Sequence, residues 1–294
     1  MWLLVSHDAG GAEVVSAWAA RHPEIAFVSV VEGPAARIFA RKLPAIPRKM
    51  GSELVHQMAS AEFVLTGTGW ASNLERKAIR MARSHRIRVA AYLDHWVNYA
   101  ERFTVDGVLE LPDEIWAGDE AALDLAHRTF PATEVRLEPN QYWGEIRAEL
   151  AGIQEELPND ELRLLYVCEP IADHALKSHG RQDARGYTEF DAMRYFFSRL
   201  SQRLPPGQRP RIRIRLHPAE SRGKYTSLLA DFTSYDVEVS EHSSLPQDCQ
   251  WAHWVVGCES MALVVGLIAG RRVFSAIPPP GKRCRLPHSG IKEF

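Results

Sequence analysis

Short apolar runs that end in a glycine or a polar residue, each followed by apolar residues at helical spacing, recur along the whole chain. "WLLVSH", "IAFVSVV", "FVLTGTG", "RVAAYLDHW" and "EIWAGDE" have the length and composition of strands buried on both faces. Between two of them "NLERKAIRMARSHR" has the period of an amphipathic helix. This alternation fits a parallel sheet covered by helices on both faces. It pauses at "GEIRAELAGIQEELPNDE", a charged, helix-prone stretch flanked by Pro139 and containing Pro158. It then restarts with "LRLLYVCEP", "YTEFDAMRYFFSRL", "RIRIRLHP", "YDVEVSE", "HWVVGCES", "MALVVGLIAG" and "RRVFSAIP". The fold class expected is α/β, with two Rossmann-like doubly wound parallel-sheet domains facing a cleft. The domains are residues 1–143 and 161–294, joined by a linker helix over 144–160.

Bulk properties narrow the function classes. The 294 residues, 46% of them hydrophobic, suffice for two cores. Thirty-five Lys and Arg against 37 Asp and Glu leave a formal charge of −2, so nothing in the total charge calls for nucleic acid. Any anion site must be local. The four cysteines have no CxxC spacing, which argues against a zinc knuckle or a disulfide framework and fits a reduced, cytoplasmic setting. HxxxH, HxH and DxD are absent, so no metal is expected. The amino terminus lacks a basic leader. "MALVVGLIAG" is about half the length of the roughly 20 apolar residues that a membrane span needs.

In open parallel sheets ligands bind beyond the carboxyl ends of the strands, where strand order reverses. Candidate site residues are therefore His7, Asp8, Gly10 and Gly11 after the first strand, then Thr66, Gly67 and Thr68, then Asp94, His95 and Trp96. In the second half they are Glu169 and Pro170, His217 and Pro218, and Glu259 and Ser260. In "RIRIRLHP" the aliphatic residues alternate with Arg211, Arg213 and Arg215, and the strand must stop at His217 because Pro218 has no N–H. The two later arginines read as solvated or sheet-covering residues.

Ser260 opens a buried helix, so its hydroxyl and the first unpaired N–H groups could hold a phosphate, or it could be a plain cap. His217 could donate to the same phosphate. Asp94 is placed as a general base, or as a helix cap, while Trp96 and Tyr99 offer a platform under a sugar ring, unless Trp96 belongs to the core. Glu169 could contact a hydroxyl-rich ligand. "SHDAGGAE" brings a backbone close to a ligand or merely turns tightly; GxGxxG and the Walker pattern are missing, which discounts NAD and ATP. GxSxG is missing too, against a serine hydrolase.

The layout resembles a GT-B type glycosyltransferase. "RLHP" followed about 40 residues later by "GCES" is similar to the His-Pro and downstream serine motifs of bacterial sialyltransferases and related CMP-sugar transferases. The resemblance implies a metal-independent transferase that needs no cofactor beyond its nucleotide-sugar substrate. It would move a nonulosonic acid or Kdo-like sugar from a CMP donor to a carbohydrate, a lipid-linked acceptor or another hydroxyl. It further implies that His217 and Ser260 address the donor phosphate, with Pro218, Glu259 and Glu169 around the nucleotide. Asp94 would be the base, and His7, Asp8, Gly10, Gly11, Thr68, His95 and Trp96 would line the acceptor side. A cytoplasmic enzyme with peripheral contact to the inner membrane fits that role. Two rivals share the architecture: a UDP-sugar epimerase or hydrolase, and a non-catalytic sugar-binding module.

Overall fold

The computed structural model describes every residue except Trp70, Ala71, Glu156, Asn159, Pro205, Pro206, His242 and Ser243. The chain divides into two compact units, Met1–Glu145 and Ile146–Phe294.

The first unit contains β1 (Trp2–Ser6), β2 (Phe27–Val31), β3 (Arg48–Lys49), β4 (Phe63–Thr66) and β5 (Arg88–Leu93). An antiparallel ribbon follows, β6 (Thr104–Val105) with β7 (Val108–Leu109), and then β8 (Glu114–Ala117) and β9 (Glu134–Leu137). Seven of these strands form one parallel sheet in the order β3-β2-β1-β4-β5-β8-β9. The helices are α1 (Ala9–Ala20), α2 (Gly33–Lys42), α3 (Leu54–Met58), α4 (Leu74–Ser84), α5 (Tyr99–Arg102), α6 (Glu120–Thr129) and α7 (Tyr142–Gly152), the last of which carries the chain across the division.

The reason β1 reads as a continuous apolar run is that both faces are covered. Leu3 and Val5 pack with Val64, Ile79 and Val89 on one face, while Leu4 packs with Val14, Trp18 and Tyr92 on the other. Each such side chain contributes about 1.5–3 kcal/mol when fully buried.

The second unit repeats the plan. Its strands are β10 (Arg163–Val167), β11 (Arg211–Arg215), β12 (Asp236–Val239), β13 (Trp254–Gly257), β14 (Arg272–Ser275) and β15 (Ile291–Glu293), all parallel, in the order β12-β11-β10-β13-β14-β15. Its helices are α8 (Ile171–His179), α9 (Glu189–Arg203), α10 (Thr226–Leu229), α11 (Leu245–Trp251) and α12 (Met261–Ile268). Two parallel-sheet α/β domains, as the sequence pattern predicts, make up the protein. The short edge strands β3, β9 and β15 are additions that periodicity did not reveal, since two to four residues show no period.

In β11 the isoleucines Ile212 and Ile214 enter the core with Leu164, Phe196 and Val256. The arginines cover the opposite face. Arg213 lies 3.8 Å from the centroid of the Trp251 ring and pairs with Glu238 and with Asp248. Arg215 pairs with the same Asp248 at 2.6 Å, and Ser240 Oγ donates to that carboxylate at 2.6 Å. Asp248 is fully buried. It is therefore the acceptor that makes two cations tolerable against a sheet face.

Among the described residues no helix is long and apolar enough to cross a membrane, and the cysteines are free thiols.

Removing Asp248 leaves Arg213 and Arg215 facing an apolar layer without their shared acceptor. Asp248→Ala should lower unfolding stability by about 3–5 kcal/mol. Urea denaturation checks this, and a loss below 1 kcal/mol would show that the pair is solvated rather than buried.

Candidate functional site

Each sheet reverses its strand order beside the first strand of its unit, at β1/β4 and at β10/β13. Chains leaving these neighbours run to opposite faces of the sheet and open a crevice between them.

In the first unit β1 ends at Ser6 and the chain turns through His7 and Asp8 into α1. The side chain of Asp8 makes no cap bond to α1. It pairs instead with His7, Oδ1 to Nδ1 at 2.7 Å. The backbone N–H of His7 donates at 2.7 Å to Oε1 of Glu75, a residue of the first turn of α4 that is 1% exposed. Burial, with the charge of Asp8 adding to it, pushes the Glu75 carboxyl up to about 8. Its Oε2 has no partner among the described residues.

Glycines clear the space around this turn. A Cβ on Gly11 would stand 3.0 Å from Cα of Gly67, so the first turn of α1 and the loop after β4 touch backbone to backbone. A Cβ on Gly10 would fall on Oδ2 of Asp94.

Asp94 follows β5 and is held from several sides. Its Oδ1 accepts from Thr68 Oγ1 at 2.9 Å and from Arg102 Nη1 at 2.6 Å. Arg102, itself buried, also donates to the carbonyls of Thr68 and Val97. Burial disfavours charge on Asp94, yet the Arg102 guanidinium together with His95 and the Thr68 hydroxyl outweighs it and holds the carboxyl below its ordinary range. A carboxylate so stabilised is a weak proton acceptor. The two aromatic rings expected to form a platform are inside: Trp96 is 6% exposed and Tyr99 is 3%. Trp96 stacks on Trp143 at 6.3 Å and donates its Nε1–H to Asp119. Neither ring presents a face to a sugar in this structure. His95 Nδ1 accepts from Trp96 N at 3.0 Å.

In the second unit the crevice lies over the end of β10. Glu169 follows that strand, and its Oε1 accepts from the backbone N–H groups of Cys258 at 3.0 Å and Glu259 at 2.8 Å, bracing the turn between β13 and α12. Burial raises the Glu169 carboxyl to about 7 against the pull of those bonds. Ser260 is the N-cap of α12, with its Oγ accepting from Ala262 N at 3.1 Å. Glu259 is committed to Arg285, which binds it through Nη2 at 2.6 Å and through its backbone N–H at 2.7 Å.

His217 lies two residues beyond β11, followed by the exposed Pro218. Its backbone N–H donates to Glu220 Oε2 at 2.9 Å, and its Nδ1 accepts from Ala219 N at 3.2 Å. The neutral ring must then carry its proton on Nε2. β10 lies between β11 and β13, so His217 follows its neighbour on one side and Ser260 its neighbour on the other, the two strands themselves standing two interstrand spacings, about 10 Å, apart. Among the described residues no group of three or more His, Cys, Asp or Glu is arranged to hold a metal ion.

The structure thus gathers His7, Asp8, Gly10, Thr68 and Asp94 around one crevice, and Glu169, Glu259 and Ser260 around the other, with His217 one strand away. Sequence reasoning missed Glu75, Arg102, Glu220 and His174, whose ring meets that of His217 edge to face at 6.3 Å. A signal existed for Glu75: at i, i+4 and i+7 it shares a helix face with the buried Ile79 and Ala82. Arg102 sits in a four-residue helix too short to show a face.

No protein-family model matches this sequence, and no curated protein matches it. Solved structures do. The UDP-GlcNAc 2-epimerase of Neisseria meningitidis bound to UDP-GlcNAc is 11% identical over 93% of this chain and 82% of its own, with a TM-score of 0.62. That of Methanocaldococcus jannaschii, in complex with UDP-GlcNAc and UDP, is 10% identical over 94% and 83%, also at 0.62. A glycosyltransferase of kitacinnamycin is 12% identical over 94% and 80%, at 0.51. The shared feature is the fold, two Rossmann-like parallel-sheet domains of the GT-B type.

In the unfolded chain Glu75 titrates near 4.5 and in the folded protein near 8, so between those values the native state holds one proton more and stability falls as pH rises. Glu75→Gln keeps an acceptor for His7 N and has no proton to lose. Its stability relative to wild type should therefore increase by on the order of a few kcal/mol from pH about 5 to about 8. Glu169 contributes a slope of the same sign to both proteins and cancels. Denaturation curves that shift in parallel at the two pH values would contradict the buried, protonated carboxyl.

Proposed function

We propose that this protein is a nucleotide-sugar enzyme that breaks the bond between the sugar carbon and the donor phosphate, with the phosphate held over the end of β10. The observation that carries this reading is the arrangement at that strand end. His217, whose Nδ1 accepts from Ala219 N, follows β11 on one side, and the amino end of α12 with the Ser260 cap follows β13 on the other. A fixed N–H donor and a helix N-terminus both favour the charge that develops on a departing phosphate oxygen, which takes the electron pair of the broken bond. Glu169 holds the two backbone N–H groups that shape the β13–α12 turn, so its part is to position that helix end.

In the first unit we assign the imidazole of His7, oriented by Asp8, to the acceptor hydroxyl. Asp94 we assign to positioning, because Arg102 and Thr68 bind its Oδ1 and hold the carboxyl below its ordinary range, which makes it a weak proton acceptor.

Two versions of the chemistry share this machinery. One is transfer from a CMP-linked nonulosonic or Kdo-like sugar to a glycan or lipid-linked acceptor, the reaction implied by the "RLHP" and "GCES" motifs. The other is epimerisation or hydrolysis of a UDP-sugar. The likeness to UDP-GlcNAc 2-epimerases, two of them bound to UDP-GlcNAc, supports the second at least as well.

Thermal denaturation with CMP and with UDP separates the nucleotides, because a ligand bound only by the native state raises Tm. Donor consumption with and without an acceptor alcohol then separates transfer from acceptor-free reaction. In whichever assay shows turnover, His217→Ala should lower the rate roughly a hundredfold, the effect of about 3 kcal/mol for losing one such donor. An unchanged rate in a folded His217→Ala protein would remove the proposed site.

A further inference from the structure

The amino end of the second sheet holds a cavity of about 500 Å³, at the opposite edge of the strands from the β10/β13 crevice. It forms where α9 ends at Arg203, where β10 and β13 begin beside Leu162 and Trp254, and where α12 turns into β14 through Gly270 at φ +72°. Among the described residues its lining contains three guanidinium groups, those of Arg203, Arg271 and Arg272, and no acidic side chain.

Other arginines of this unit meet carboxylates: Arg163 with Glu155 and Glu161, Arg211 and Arg213 with Glu238, Arg215 with Asp248, Arg285 with Glu259. The three around the cavity are held by rings and carbonyls. Arg272 lies over Trp254 at 4.9 Å and over Phe274 at 5.9 Å. Arg203 lies over Phe294 at 5.4 Å and donates to the carbonyl of Glu293. Arg271 donates through Nε and Nη2 to the carbonyls of Cys249 and Gln250 at the end of α11, which leaves Nη1. Among the described residues none of the three has a carboxylate partner. Each guanidinium thus has a ring or a carbonyl to orient it and no carboxylate at ion-pair distance, which lowers the cost of ordering the three around an anion.

One contribution opposes this. The carboxyl end of α12 brings a partial negative charge of about half a unit to the cavity wall. Its last carbonyls are engaged, with Ala269, Gly270 and Arg271 N–H groups donating to Val265, Leu267 and Gly266. Three full positive charges outweigh it.

We infer that this cavity is a second anion site, separate from the proposed catalytic crevice, and that it takes an oligophosphate, either inorganic or as the phosphate chain of a nucleotide. Guanidinium forks match phosphate oxygens in pairs, and three of them match the charge of a di- or triphosphate rather than of a single carboxylate. The volume lies in the range of small-ligand sites, and the apolar Leu157 and Leu162 wall leaves room for an organic portion.

The probe is sodium tripolyphosphate, titrated calorimetrically into the whole protein, with UDP as the nucleotide arm. Wild type should bind tripolyphosphate, more weakly as salt is raised. Arg203→Gln with Arg272→Gln should weaken it tenfold or more, whereas His217→Ala should leave it unchanged. Competition by UDP, lost in the arginine double variant, would identify a nucleotide as the occupant; no competition would identify the inorganic anion. Arg203 and Arg272 are exposed, and unaltered melting of the unliganded double variant establishes that it folds; Arg272→Gln alone, expected to lose part of the affinity, serves if it does not. Absence of tripolyphosphate binding at millimolar concentration, or binding that survives the double substitution, overturns the inference. Both outcomes are independent of the His217 assay.

Discussion

The turns after β1, β10, β11 and β13 are each held by a glutamate whose carboxylate accepts a backbone N–H. Glu75 takes the N–H of His7, Glu169 those of Cys258 and Glu259, Glu220 that of His217, and Glu189 that of Ala172 at the start of α8. Parallel strands make such a device necessary. Where a strand ends and the chain peels off toward a helix, the first amides after the ladder lose their sheet partners while still lying among packed side chains. An orphaned buried N–H costs about 1–3 kcal/mol. A carboxylate supplied from a neighbouring element satisfies it and fixes the turn at the same time.

In the second unit two of these carboxylates are tied to each other. Lys224 Nζ bridges Glu189 and Glu220, and Tyr225 donates to Glu220 at 2.6 Å. One ammonium thereby links the turn of His217 to the first turn of α8. The arrangement places the histidine through its backbone N–H, while Ala219 N and the ring of His174 meet the imidazole itself.

How much of this was legible in the sequence follows from the range over which each signal acts. The long strands and the double domain were legible, because an apolar run bounded by turns is a local pattern. So were His217, Ser260, Asp94 and the His7 turn as positions, since the rule that sites lie at strand ends needs only the strand assignment. Their partners were not. Arg102 reaches Asp94 across eight residues, Glu75 reaches His7 across 68, and Glu169 reaches Cys258 across 89. Nothing in the local pattern fixes which charged residue closes such a loop. The same blindness explains Trp96 and Tyr99: an aromatic residue just past a strand end reads equally as a ligand platform or as core, and here Trp143 and Asp119, from α7 and from the cap of α6, decide for the interior. The arginines of β11 read equally as solvated or as covering the sheet, and Asp248, arriving from α11, decides for cover.

The protonation state of the bracing glutamates bears on what the crevices can hold. Counted as ionised, Glu169 and Glu259 would put two negative charges beside the amino end of α12 and oppose any phosphate there. Arg285 neutralises one of them. The other sits in a site where burial raises its pKa to about 7, which favours its neutral form over that of an ordinary carboxyl while Oε1 still accepts both turn amides. A phosphate arriving at the helix end makes the ionised form still less favourable, and by linkage it draws a proton onto Glu169. The brace is thus a group that can give up its charge without giving up its hydrogen bonds, which an aspartate or glutamate fixed by an arginine, such as Asp94, could not do.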